Sequence, residues 1–115
     1  YLKKIGNDGI DFSGSIAKVT SLYAEKIGDK AISVGENSLV YVEKSTIKDC
    51  NFGIVSKDKS EVNINNVKIL NCKTGLAAYI KKSEYGPAKI SAKKVLILNS
   101  KKKYFTDTKS KINIK

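Results

Sequence analysis

Residues 28–38, GDKAISVGENS, decide the fold, because the same design returns on either side of them at one interval. GNDGIDFSGS begins upstream at Gly6, NFGIVSKDKS downstream at Asn51, and KTGLAAYIKKS at Lys73. The anchors Ile10, Ile32, Ile54 and Leu76 each stand 22 residues after the last. Tyr104 follows Leu76 by 28, which puts Ser110, Ile112 and Ile114 where Ser60, Val62 and Ile64 stand in the third unit. A fixed period of this length marks a solenoid, in which one unit buries its apolar face only against its neighbours.

Within each unit apolar and polar residues alternate. Ile10 and Phe12 match Ile32 and Val34; Val40 and Val42 match Val62 and Ile64, then Ile90 and Ala92; Ile47, Ile69 and Ile97 form a third column. Period-two alternation describes short strands with one face inward. Ile, Val and Thr make up 27 of the 115 residues, and β-branching favours strands. No segment sustains the i, i+3, i+4 spacing of a helix. The expected architecture is an all-β parallel β-helix, one domain over 1–115, with coils near 6–27, 28–50, 51–72, 73–100 and 101–115. The first unit is shorter after its first strand, leaving its register between Ser15 and Ile27 open. Because YLKKIG at Tyr1 aligns with the residues before Gly28, the chain opens inside a coil, and it closes inside one. It therefore reads as a piece of a longer protein, whose uncovered ends allow coil-on-coil self-association.

Polar columns follow the same period. Asp49, Asn71 and Asn99 are expected to form a ladder in a turn, with Ser38, Ser60 and Ser110 as a second column. Cys50 and Cys72 share a third with Ser100. Stacked strands lie about 4.8 Å apart with parallel Cβ vectors, which suits two packed thiols better than a disulfide. Two cysteines without histidine make no zinc site.

The strings GNDGIDFSGS, GDKAISVGENS, GIVSKDKSEV and GLAAYIKKSEYGPA resemble right-handed parallel β-helix proteins of the pectate-lyase-like superfamily. More narrowly they are similar to a β-helix region of large bacterial proteins, some carrying a CotH-kinase-like domain. The resemblance covers about Ile5 to Ile114 and implies the right-handed fold and an extracellular or cell-surface setting. It leaves activity open, since the superfamily holds lyases, hydrolases, epimerases, adhesins and spacers.

Composition narrows the chemistry. Net charge is +11 and all 22 basic residues are Lys; Arg, His, Trp and Met are absent. The pectate-lyase recipe wants a catalytic Arg, and the polygalacturonase recipe His, Arg and several Asp. Asp11 points outward, yet its equivalents Ser33, Val55 and Ala77 build no acidic column, so no catalytic residue, metal site or cofactor is assigned. The fourth unit carries six extra residues in the loop Tyr79–Ala88. Insertions in solenoids gather on one face, often the binding face. The candidate ligand-binding residues are accordingly Tyr79, Lys81, Lys82, Glu84 and Tyr85 with Lys57 and Asp58 on the coil beneath: rings to stack on sugars, ammonium groups for carboxylates. The scattered lysines suit an acidic polysaccharide or a protein partner. No nucleic-acid motif accompanies them, and no apolar run reaches membrane-spanning length. Three readings follow: a non-catalytic module binding carbohydrate or protein or acting as a spacer; a piece of a polysaccharide lyase or hydrolase lacking its catalytic coils; and a self-associating structural solenoid.

Overall fold

The computed structural model describes residues 1–115. Ten strands follow one another: β1 (Leu2–Ile5), β2 (Ile10–Ser13), β3 (Ile16–Thr20), β4 (Tyr23–Gly35), β5 (Leu39–Lys57), β6 (Glu61–Leu70), β7 (Thr74–Tyr79), β8 (Lys89–Leu98), β9 (Lys102–Thr106) and β10 (Lys111–Ile114). No helix occurs, and every strand pairing is parallel. The chain winds into stacked three-walled coils. Wall one holds β2, the ends of β4 and β5, β7 and β9; wall two holds β3, Leu39–Glu43, Glu61–Asn65, the start of β8, and β10. Wall three holds β1 and the intervening segments around Ala24, Ile47, Ile69 and Ile97.

The register follows the repeat. Ile10 pairs with Ile32, Ile32 with Ile54, Ile54 with Leu76, and Leu76 with Tyr104. The open stretch of the first unit pairs one residue further along: Ile16 with Leu39, Val19 with Val42, and Ile27 with Cys50. The cause is local. Gly14 turns the first corner alone, whereas Glu36 and Asn37 share the next, and the ladder recovers its register at a bulge between Ile27 and Lys30.

Corners are made by left-handed residues stacked in columns. Lys4, Lys26, Asp49, Asn71 and Asn99 form one such column, with φ between 56 and 58°. Ser21, Lys44, Asn66 and Lys94 form another, and Gly14, Glu36, Asn37, Asp58 and Lys59 the third. Asn and Asp tolerate this conformation because their short side chains bond locally; lysine has no such relief. The expected ladder is thus in part a backbone device. Asn99 donates to Asn71 at 3.0 Å, while Asp49 shares the turn geometry without joining that bond.

Inside, 22 buried side chains form one core that runs along the axis, Ile32, Ile54 and Leu76 on wall one facing Ile47, Ile69 and Ile97 on wall three. A serine column lines its edge: Ser15 N donates to Ser38 Oγ, Ser38 N to Ser60 Oγ, and Ala88 N to Ser110 Oγ, at 3.0 to 3.1 Å. Each hydroxyl thereby satisfies a corner amide of the coil before it. Cys50 and Cys72 are buried free thiols. The Cys72 sulfur beside it and burial together push the Cys50 thiol up.

Candidate binding cleft

Wall one carries the most developed surface feature. Its outward rows run Lys30, Phe52, Thr74, Lys102 and Ser33, Val55, Ala77, Phe105 along the axis. Large rings stand on coils three and five, and the small, buried Thr74 and Ala77 lie on the coil between. The rings are two coil steps apart along the axis, about 10 Å at the strand spacing, and three residues apart along the wall, leaving a slot over Thr74. Tyr79, at the end of β7, closes one side, its ring edge-on to Phe105 with centroids 6.2 Å apart. The cavity is about 440 Å³ and is lined by Phe52, Thr74, Tyr79, Ile80, Lys102, Phe105 and Asp107.

Charge is placed at its rim. The Lys102 ammonium lies 5.3 Å from the Phe105 centroid, close enough for a cation–π contact, and forms no ion pair. Asp107 is committed to the backbone: Oδ2 accepts from Ile80 N at 2.7 Å, and Oδ1 from Ser110 N at 2.8 Å and Lys109 N at 3.2 Å. Burial raises its pKa, but these bonds outweigh it and hold the carboxyl below its ordinary range. Burial pushes the Tyr79 phenol up, so it remains a neutral donor.

On the neighbouring coils Lys30 reaches Asp29 at 2.8 Å and Asp8 at 3.8 Å, with its nitrogen 5.9 Å from the Phe52 centroid. Burial lowers the ammonium's pKa, yet the Asp29 hydrogen bond and the Asp8 charge more than offset this, leaving it above the usual value. Here the ammonium is matched by two carboxylates, in contrast to Lys102. Nowhere does the fold gather three or more His, Cys, Asp or Glu side chains able to hold a metal ion.

The residues singled out from sequence fall on two levels. Tyr79 borders the cleft. Asp58 is 1% exposed, and its Oδ1 accepts from Lys81 N at 2.7 Å and Lys82 N at 2.8 Å, so it anchors the loop. Lys82 pairs with Glu36 at 3.3 Å, and the Tyr85 hydroxyl reaches the same carboxylate at 3.5 Å. Lys57 lays its aliphatic chain beside Gly35; Lys81 and Glu84 point into solvent. The loop is thus fastened to the corner between walls one and two, and of these seven residues only Tyr79 lines the cleft. Phe52, Thr74, Ile80, Lys102, Phe105 and Asp107 were not anticipated. Carrying the Asp11 row one coil further, past Ala77, reaches Phe105, and the Lys30 row holds Phe52 and Lys102.

Parallel three-walled coils, left-handed corner columns and a continuous apolar interior define a β-solenoid. The chain belongs to the right-handed β-helix family: the family model described as the right handed beta helix region matches residues 2–113. No curated protein matches the chain, and neither does any solved structure.

Proposed function

We propose that this chain is a non-catalytic β-helix module of a larger cell-surface protein and that its wall-one cleft binds an acidic polysaccharide. The observation that carries the reading is the slot between Phe52 and Phe105 with the unpaired Lys102 at its rim. Aromatic faces stack on the C–H faces of sugar rings, and the slot offers Phe52 and Phe105 at its two ends. An ammonium at the edge then selects a sugar carrying a carboxylate over a neutral one.

Titration of the protein with oligogalacturonate and with a neutral oligosaccharide of equal length tests this. Binding of the acidic probe should weaken about tenfold with Phe105→Ala, the ratio that corresponds to a loss of about 1.4 kcal/mol. Lys102→Gln should remove most of the preference for acid over neutral and flatten the salt dependence. Equal affinity for both probes, or no binding by folded protein, sinks the reading. Release of unsaturated or reducing ends from polygalacturonate would favour a lyase or hydrolase instead.

A further inference from the structure

Wall two carries a second depression, on a different side of the prism from the cleft. It is about 240 Å³ and is lined chiefly by Tyr41, Glu43, Asn63, Asn65, Ser91 and Lys93. Its construction follows from the register. Tyr41, Asn63 and Ser91 stack in one outward row, and Glu43, Asn65 and Lys93 in the next. Side-chain length falls along the first row from a phenol to an amide to a hydroxymethyl group, so the Tyr41 ring, 42% exposed, stands as a wall above a shallow polar floor. The floor offers amide, hydroxyl and carboxylate groups, which donate and accept as sugar hydroxyls require.

The electrostatics of the groove choose among sugars. Glu43 is already paired with Lys18 at 3.5 Å. Lys93 is exposed and forms none of the molecule's ion pairs. Lys115, also in the lining, forms none either, so the groove has two uncommitted lysines beside the Tyr41 ring, where the wall-one cleft has Lys102 beside Phe105. We infer that the Tyr41 groove is a second site for an acidic glycan, which makes the module bivalent. The ligand class rests on the reading of the first cleft; the existence of the groove does not. Because the sites occupy different walls of a rigid prism, one straight segment of polymer cannot fill both. The module then bridges two chains, and linked binding raises apparent affinity for polymer well above that for short fragments.

The test is a two-dimensional amide NMR titration of the 115-residue chain with trigalacturonate, followed residue by residue. Two groups of resonances should move, one around Phe52 and Phe105, the other around Tyr41, Asn63 and Ser91, each with its own dissociation constant. Tyr41→Ala should weaken the second at least tenfold and leave the first unchanged, its well-dispersed spectrum showing that the coil persists. Lys93→Glu should do the same without removing any apolar surface. Mixed with long polygalacturonate, the parent protein should produce turbidity that Tyr41→Ala abolishes. Shifts confined to wall one would overturn the second site while leaving the proposed function standing. Shifts confined to the groove would uphold it and overturn the cleft reading. Shifts at neither would overturn both.

Discussion

Gly53 offers a sharp test of how tightly the coils determine one another. It lies between the ladder pairs Phe52–Thr74 and Ile54–Leu76, facing the next coil. A Cβ built there would stand 2.5 Å from the Gly75 carbonyl oxygen and 2.9 Å from Ile69 Cγ2. Both obstacles are held in place: one is the backbone of the adjacent coil, the other a core side chain with 0% exposure. Regaining ordinary contact needs the coils to part locally by most of an ångström against a spacing of about 4.8 Å. Overpacking of a close-packed interior costs about 1–3 kcal/mol, and weakening a flanking ladder bond adds about 1 kcal/mol. The expected loss for Gly53→Ala is thus about 2–4 kcal/mol. At roughly 4 °C per kcal/mol for a domain of this size, the melting temperature should fall by about 8–16 °C.

Gly86→Ala is the matched control. Nothing lies within 4 Å of its Cβ position, and its φ is not left-handed. It should change stability by no more than about 0.5 kcal/mol. Urea unfolding of both variants, followed by far-ultraviolet circular dichroism at constant m, separates the two expectations. A Gly53→Ala protein within about 0.5 kcal/mol of the parent would refute the argument, because the coils would then be free to move apart at small cost. An equal loss in both variants would also refute it, since only one of the two sites is crowded.

Other outcomes follow from the corners and the buried groups. Lys94, with φ of 50°, occupies the corner column that Asn66 fills with the residue type best suited to it. Lys94→Asn should therefore stabilise by about 1 kcal/mol, read as a rise in the urea midpoint; an unchanged or lower midpoint contradicts the strain argument. Asp107 has a folded pKa below its ordinary value of 3.8, so its contribution is complete above that value and is lost as pH falls through the folded one. The stability gap between the parent and Asp107→Asn should accordingly be widest near neutrality and close in acid, and a gap independent of pH would rule out that account. Cys50 and Cys72 should resist a thiol reagent in the folded protein and react together on unfolding, because both are buried and the Cys50 thiol is pushed up. Immediate reaction without denaturant would show the wall-three column to be open.

The two kinds of information differed in how far sequence could carry them, and the reason is geometric. The inward columns are homogeneous: Ile32, Ile54 and Leu76 must all be apolar because each meets the one before it, so a single chain displays the period several times over. The corners are partly legible for the same reason, with Asn71 and Asn99 marking a column whose lysine members, Lys4 and Lys26, give no signal of a left-handed φ. The cleft works by the opposite principle. It exists because its outward rows are uneven, Thr74 being small between Phe52 and Lys102 in one row and Ala77 small before Phe105 in the next. A search for repetition passes over such a place, since what matters there is the break in the column. The insertion at Tyr79–Ala88 is the largest visible departure from the period, yet Asp58 and Glu36 bind it down to the corner. On a solenoid, then, the core is read down the columns, and a binding site is read from adjacent rows compared for size and unpaired charge. Applied to wall two, that comparison passes from Tyr41 to Asn63 to Ser91, with Lys93 alongside, and arrives at the groove.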